Sequence, residues 1–306
     1  MKVVVTGGAG FIGSNLAEEL LKKHEVTVID NLSTGRMENL HRILDKINFI
    51  EGSITDLDLL KEAFSGSYGV FHQAAIPSVQ RSVDNPLATN EANVEGTLKV
   101  LVAARDCKVQ KVVFASSSSA YGDTPTLPKK EDMKPSPKSP YAITKLAGEY
   151  YCRVFSEVYG LKTTCLRYFN VYGPRQDPKS EYAAVIPRFI TRVLAHEPPV
   201  IYGDGNQTRD FTFVKDVAKA NILAMHSSAE GVFNIACGRR MSLNELAGKI
   251  MQITGIKLDP VHDEPRLGDV RDSLADISAA GKELGYEPDY DMDCGLEETI
   301  KWFGKN

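Results

Sequence analysis

Three consecutive valines, Val3-Val4-Val5, lead directly into Thr6-Gly7-Gly8-Ala9-Gly10-Phe11-Ile12-Gly13. Gly7, Gly10 and Gly13 stand between a strand-like run and an amphipathic helical pattern. Small residues at this spacing let the backbone turn tightly, approach a pyrophosphate and pack helix on strand. The helix start adds free N–H groups and the positive end of a dipole. The acid that completes such a fingerprint is Asp30, closing the run Val26-Thr27-Val28-Ile29. A carboxylate there accepts hydrogen bonds from an adenosine ribose and repels a 2′-phosphate. NAD is therefore expected rather than NADP. Arg36, the nearest arginine, is the feature that points the other way.

Short apolar runs alternate with helical patterns over the first two-thirds of the chain. Strands are predicted at 2–6, 25–30, 48–51, 69–72, 111–115 and 162–168, and helices at 12–23, 57–64, 90–105 and 141–159. Near-continuous apolar strands are buried on both faces, and this alternation gives right-handed βαβ crossovers and a parallel sheet. After Arg167 the rhythm fails. Pro174, Pro178, Pro187, Pro198 and Pro199 cut the chain into short pieces, with helices predicted at 214–225 and 242–254. The expected fold is α/β: a Rossmann-type, doubly wound parallel sheet with a smaller C-terminal α/β substrate-binding domain. Residues 1–168 form the first domain and residues 169–306 the second. The stretch 209–237 returns to the first, because Phe233-Asn234-Ile235-Ala236 reads as a further strand.

Composition narrows the function. Thirty-six Lys and Arg face 40 Asp and Glu among 306 residues, and a net charge of −4 lacks the basic footprint of a nucleic-acid binder. No apolar run nears the roughly 18 residues of a membrane span. No apolar leader follows Met1, so no secretory signal is expected. Cys107, Cys152, Cys165, Cys237 and Cys294 are odd in number and scattered, with no C-x-x-C. That pattern suits reduced thiols in a cytoplasmic protein. The six histidines form no zinc-like cluster, and no metal is expected.

A second motif follows the first in chain order. Tyr141 and Lys145 are one helical turn apart, behind the helix-start signal Ser139-Pro140. The serines at 116–119 follow the predicted strand at 111–115, at the carboxyl end where open α/β sheets bind ligands. A tyrosine with pKa ~10 needs a shift of about three units, roughly 4 kcal/mol, to act as a base near neutrality. One cation at ~4 Å supplies on the order of 4 kcal/mol before desolvation opposes it. Two cations make the shift comfortable: Lys145 and an oxidised nicotinamide ring. Tyr141 thus makes sense as a base beside NAD.

With these motifs in order, the chain resembles the extended short-chain dehydrogenase/reductase superfamily, and within it the UDP-hexose 4-epimerases. The resemblance rests on the segments at 6–13, 30–32, 72–75, 116–122, 141–145, 166–170, 203–205, 209–211 and 266–269, and spans essentially the whole chain. It implies a tightly held NAD, reduced and reoxidised within each turnover. Tyr141 would take the proton of the sugar C4 hydroxyl, Ser117 would hydrogen-bond the C4 oxygen, and Lys145 would hold the nicotinamide ribose and depress the Tyr141 pKa. The resemblance places the cofactor against Gly7, Gly10, Phe11, Ile12, Gly13, Asp30, Asn31, Ser53, Ile54, Gln73, Ala74, Ala75, Tyr141, Lys145 and Tyr168. It places the sugar nucleotide against Ser78, Ser117, Ser118, Ser119, Asn170, Gln176, Ala184, Val185, Tyr202, Arg209, Arg266, Asp269 and Ser273. Asn170, Arg209 and Arg266 would bind the diphosphate, and Asp269 the uridine ribose.

Departures from relatives sharpen this. Dehydratases of the superfamily carry an Asp-Glu pair where this chain has Ser118 and Ser119, and related decarboxylases carry a Glu at Ser119. Simple epimerisation is what remains. Ser53 stands where relatives usually carry an Asp against the adenine. Epimerases restricted to glucose and galactose carry a bulky Tyr at Ser273. The small residue, with Ala184, Ser119 and Gln176, resembles N-acetyl-tolerant enzymes, although Pro77 departs from the Gly of the most N-acetyl-selective ones. The expected reaction is 4-epimerisation of UDP-glucose/galactose and of their N-acetylated forms through a 4-keto sugar. The alternatives are a UDP-glucuronate 4-epimerase, with Arg175 or Lys179 as the extra cation, a GDP-sugar enzyme, or a non-catalytic NAD sensor. A homodimer is expected through helical faces carrying Val94, Leu98, Leu101 and Val102, and Tyr150, Val154 and Val158.

Overall fold

Val3, Val4 and Val5 are sealed from solvent, and the reason is their place in the middle of a sheet covered on both faces. The structure, a computed structural model, describes residues 1–178, 184–264 and 271–305. The first half of the chain runs β1 (Lys2–Thr6), α1 (Phe11–Leu20), β2 (Glu25–Asp30), β3 (Asn48–Glu51), α2 (Leu57–Phe64), β4 (Gly69–His72), α3 (Val79–Asp84), α4 (Pro86–Asn90), α5 (Gly96–Asp106) and β5 (Lys111–Ser117). Then come α6 (Pro140–Tyr159), β6 (Lys162–Tyr168), β7 (Val171–Tyr172), α7 (Val185–Leu194), β8 (Val200–Tyr202), β9 (Thr208–Arg209), β10 (Thr212–Phe213), α8 (Val214–His226) and β11 (Gly231–Ile235). The last are β12 (Met241–Ser242), α9 (Leu243–Thr254), β13 (Val261–Asp263), α10 (Ser278–Leu284) and α11 (Met292–Phe303).

Seven strands form one parallel sheet in the order β11-β6-β5-β4-β1-β2-β3. This is a Rossmann-type fold, and the order reverses between β1 and β4, where such sheets bind ligands. One apolar core packs α1, α8 and α10 against the sheet, and another packs α2, α5 and α6 against the opposite face. A third core, around Phe189, Ile190, Phe213 and Leu246, belongs to the shorter elements. The remaining short strands pair two by two: β10 with β7, β12 with β9 and β13 with β8.

Most predicted elements are present, with three differences. β5 runs on to Ser117. The helix predicted at 12–23 ends at Leu20, because Leu21, Lys22, Lys23 and His24 close a hydrogen-bonded turn instead. The helix predicted at 90–105 is broken by a π-turn over Glu91–Glu95 between α4 and α5. No helix among the described residues is long and apolar enough to cross a membrane.

Candidate active site

Two cavities open over the carboxyl end of the sheet. The first, of about 390 Å³, lies along the β1–α1 turn and the ends of β2 and β4. Every residue that the sequence assigned to the cofactor lines it. Its floor is set by glycine. Gly7 has φ +71°, and a Cβ there would sit 2.6 Å from the backbone of Ala74. A Cβ on Gly13 would sit 2.2 Å from the Gly7 carbonyl oxygen, so α1 could not pack this close to the turn. The N-terminus of α1 has no side-chain cap and no acid in its first turn, which leaves its N–H groups for an anion.

Asp30 closes one end. Its carboxylate accepts from Ala9 N at 2.9 Å and Leu32 N at 2.8 Å. Burial nonetheless pushes its pKa above the usual carboxylate value. Gly35, which the sequence reading missed, presses on it: a Cβ there would meet the two carboxylate oxygens at 2.7 and 2.8 Å. Ser53 lies on the wall with its hydroxyl 2.7 Å from that of Thr55. At the other end the Tyr168 hydroxyl lies in a closed triangle with Gln73 and Asn221.

The catalytic candidates come from β5 and α6. Ser139 caps α6 by accepting from Ala142 N at 3.1 Å, with Pro140 in the first turn, as the sequence implies. The Lys145 ammonium donates to Ala115 O at 2.8 Å and lies 5.9 Å from the Tyr141 ring centre. Burial lowers its pKa to about 8. Burial raises that of Tyr141, opposed by a hydrogen bond with Ser117. Among the chain's own groups, burial outweighs what would lower the Tyr141 pKa, and the Lys145 ammonium keeps its charge while donating to a carbonyl.

Buried polar contacts hold this arrangement. Glu149, on α6, forms a bidentate pair with Arg167 of β6 (2.8 and 2.7 Å) and accepts from the Ser116 hydroxyl at 2.5 Å. That ties the end of β5 to the catalytic helix. The π-turn presents Asn93, which bonds the backbone of Ile76 in both directions (2.7 and 3.2 Å) and donates to Thr144 at 3.1 Å. Thr144 in turn donates to Tyr141 O. Neither device was legible, since each joins residues distant in sequence.

The second cavity, of about 730 Å³, is lined by Ser117, Ser118, Ser119, Asn170, Ala184, Val185, Tyr202, Arg209 and Ser273 as predicted. Tyr141 and Ala184 line both cavities. Two predicted contacts differ. Ser78 is used as the cap of α3, accepting from Arg81 N at 3.2 Å. Gln176 donates to Val171 O and lines the first cavity. Arg266, Asp269 and Lys179 lie outside the described residues. Arg175 is paired with Glu18. Arg188 was missed: it lines the cavity with its guanidinium 5.3 Å from the Tyr202 ring centre. Asp210 was missed too. It is fully buried and accepts from Cys237 N, Gly238 N and Ala275 N at 3.0–3.1 Å, with its pKa pushed up to about 6 by burial. It thus gathers the segments that carry Arg209 and Ser273.

A family profile described as NAD dependent epimerase/dehydratase matches residues 3–236. The chain belongs to the NAD-dependent epimerase/dehydratase family. It is 42% identical over 310 residues to a UDP-glucose 4-epimerase of Mycolicibacterium smegmatis, covering 99% of this chain and 98% of that protein. Among solved structures, a UDP-N-acetylglucosamine 4-epimerase from Methanobrevibacter ruminantium, in complex with UDP-N-acetylmuramic acid, superimposes with a TM-score of 0.97. It is 45% identical and is matched over 99% of this chain and 98% of that one. A UDP-glucose 4-epimerase from Thermotoga maritima, with UDP-glucose, gives a TM-score of 0.95 at 42% identity, over 100% and 99% of the two chains. The family's cofactor fits what is present. The cradle at Gly7 and Gly13 leaves no room for a Cβ, α1 offers free N–H groups, and Asp30 faces the ribose end.

Proposed function

We propose that the enzyme interconverts UDP-hexoses at C4, acting on UDP-glucose/UDP-galactose and on UDP-GlcNAc/UDP-GalNAc. The observation that carries the reading is the place of Tyr141. Its ring borders both the cofactor cavity and the larger cavity beside it. A phenol there reaches a sugar hydroxyl and a bound nicotinamide together.

When bound, NAD supplies the two-electron oxidation of C4 and its reversal. The chain's own residues do the rest. Tyr141 Oη takes the C4 hydroxyl proton and later returns it. The Ser117 hydroxyl, which lines the same cavity as Tyr141, steadies the C4 oxygen and relays the proton. Lys145 contributes a charge beside the phenol that works against the effect of burial, and a bound nicotinamide cation would add a second. Arg209 and Asn170 would hold the diphosphate, a task that suits a forked guanidinium. The sugar is then free to present its other face while the nucleotide stays anchored.

Dual specificity rests on the wall. Ser118, Ser119, Ala184 and Ser273 are small, and Ser273 donates no bulk toward Asn170, whose amide lies 3.4 Å from its hydroxyl. A uronate substrate calls for an extra cation near the sugar; of the two candidates, Arg175 is paired with Glu18 and Lys179 lies outside the described residues. The test is kcat/KM on both sugar pairs with wild type and Ser273→Tyr. N-acetyl turnover is expected to fall at least about tenfold in the variant while plain-sugar turnover survives. Equal turnover of N-acetyl sugars in the variant would overturn the size argument.

A homodimer is part of the same reading. On α6, Tyr150, Val154 and Val158 are exposed, and Leu87 on α4 is 82% exposed. Leu101, in contrast, is fully buried against the sheet and cannot serve this face. Light scattering at low concentration should give twice the chain mass.

A further inference from the structure

Arg36 and Asp177 form an ion pair at 2.5 Å, although 141 residues separate them. Both line the first cavity. Arg36 follows Gly35, whose backbone is packed on the Asp30 carboxylate, so its guanidinium belongs to the end that reads the adenosine ribose. Asp177 comes from the segment after β7. That segment is strapped to α1 by Asn15, which donates to Pro174 O at 3.1 Å, and by the Arg175–Glu18 pair.

NADP differs from NAD by a 2′-phosphate on that ribose. A guanidinium on the wall beside it is a ready partner, because its fork matches phosphate oxygens. In sequence, Arg36 therefore argues for NADP and Asp30 for NAD. We propose that Asp177 decides between them: it is a cofactor-selecting residue that occupies Arg36 and withholds it from a 2′-phosphate. With Asp177 in place, the described residues at this end set two acids, Asp30 and Asp177, against one cation, Arg36. Without it, Arg36 is released and only Asp30 repels the phosphate. The pair is half exposed, with side-chain accessibilities of 50% and 31%, so it adds little to stability. Its effect is on which nucleotide the site accepts.

The test does not involve sugar turnover, so it stands apart from the proposed reaction. Purified enzyme is incubated with equal NAD⁺ and NADP⁺ until isotope-labelled NAD⁺ has equilibrated. Unbound nucleotide is removed, the protein is denatured, and the released nucleotides are quantified. Asp177→Asn should raise the NADP share about tenfold, the scale of one charge-assisted phosphate contact. Asp177→Glu should keep the wild-type ratio, and Asp177→Asn with Arg36→Ala should return to it. An unchanged ratio in Asp177→Asn, or a gain that persists without Arg36, would overturn the proposal. So would loss of both nucleotides in Asp177→Asn alone, since the pair would then hold the strap rather than select.

Discussion

The cofactor cavity is walled by strand ends and a helix start; the sugar cavity is walled by loops, two-stranded pairs and the first turn of α7. The first is fixed by contacts a single Cβ would destroy, as at Gly7 and Gly13. The second is fixed from behind, by a buried carboxylate, Asp210, that collects three backbone N–H groups from two segments. A regular scaffold thus holds the part that is the same in every turnover. Irregular pieces wall the cavity in which the proposed reaction would turn the sugar. Tyr141 is the side chain at their border.

Substitutions that act on one cavity alone put this contrast at risk. The largest effect on cofactor retention is expected from Gly13→Ala. Its Cβ would collide with the Gly7 carbonyl, costing about 1–3 kcal/mol or more as overpacking. Nucleotide released on denaturation should fall at least about tenfold. Retention of NAD by this variant would break the claim that the floor is sterically set. Arg209→Ala comes next. Loss of a charge-assisted contact of ~1.5–3 kcal/mol should cut kcat/KM about 10- to 100-fold, mostly through KM. Bound NAD should be unchanged, and a fall in NAD content would show that the cavities are not separable.

A further expected effect concerns pH. Burial holds Lys145 near pKa about 8 against an ordinary 10.5. Between those values the unfolded chain keeps a proton that the folded chain has released. Stability of the nucleotide-free protein should therefore rise with pH from 8 to 10.5, relative to Lys145→Met. Denaturant titrations across that range show it, and parallel curves for the two proteins would contradict it.

The same contrast explains what could be read from the sequence. Gly7, Gly10, Gly13 and Asp30 lie within one βαβ unit, where spacing carries the geometry, and all of them line the cavity. Tyr141 and Lys145 share a helix face and were equally legible. Asp177, Asn93, Glu149 and Asp210 act on partners far along the chain, and no local spacing marks them. Asp210, next to Arg209 in sequence, gives no local sign that its carboxylate is fully buried. Gly35 left a faint signal, a glycine shortly after a strand-ending acid. The Tyr141 pKa could not be judged from residue types, because burial of the phenol is a property of the packed site.

In the proposed reaction one phenol, at the border of two cavities, moves the proton of the sugar alcohol. Tyr141→Phe removes only its oxygen, so sugar interconversion and bound NAD should be measured on the same preparation. Turnover should fall about 10²–10⁴-fold, the range of a positioned acid–base group, with NAD still bound. Undiminished interconversion by an NAD-loaded Tyr141→Phe enzyme would contradict it.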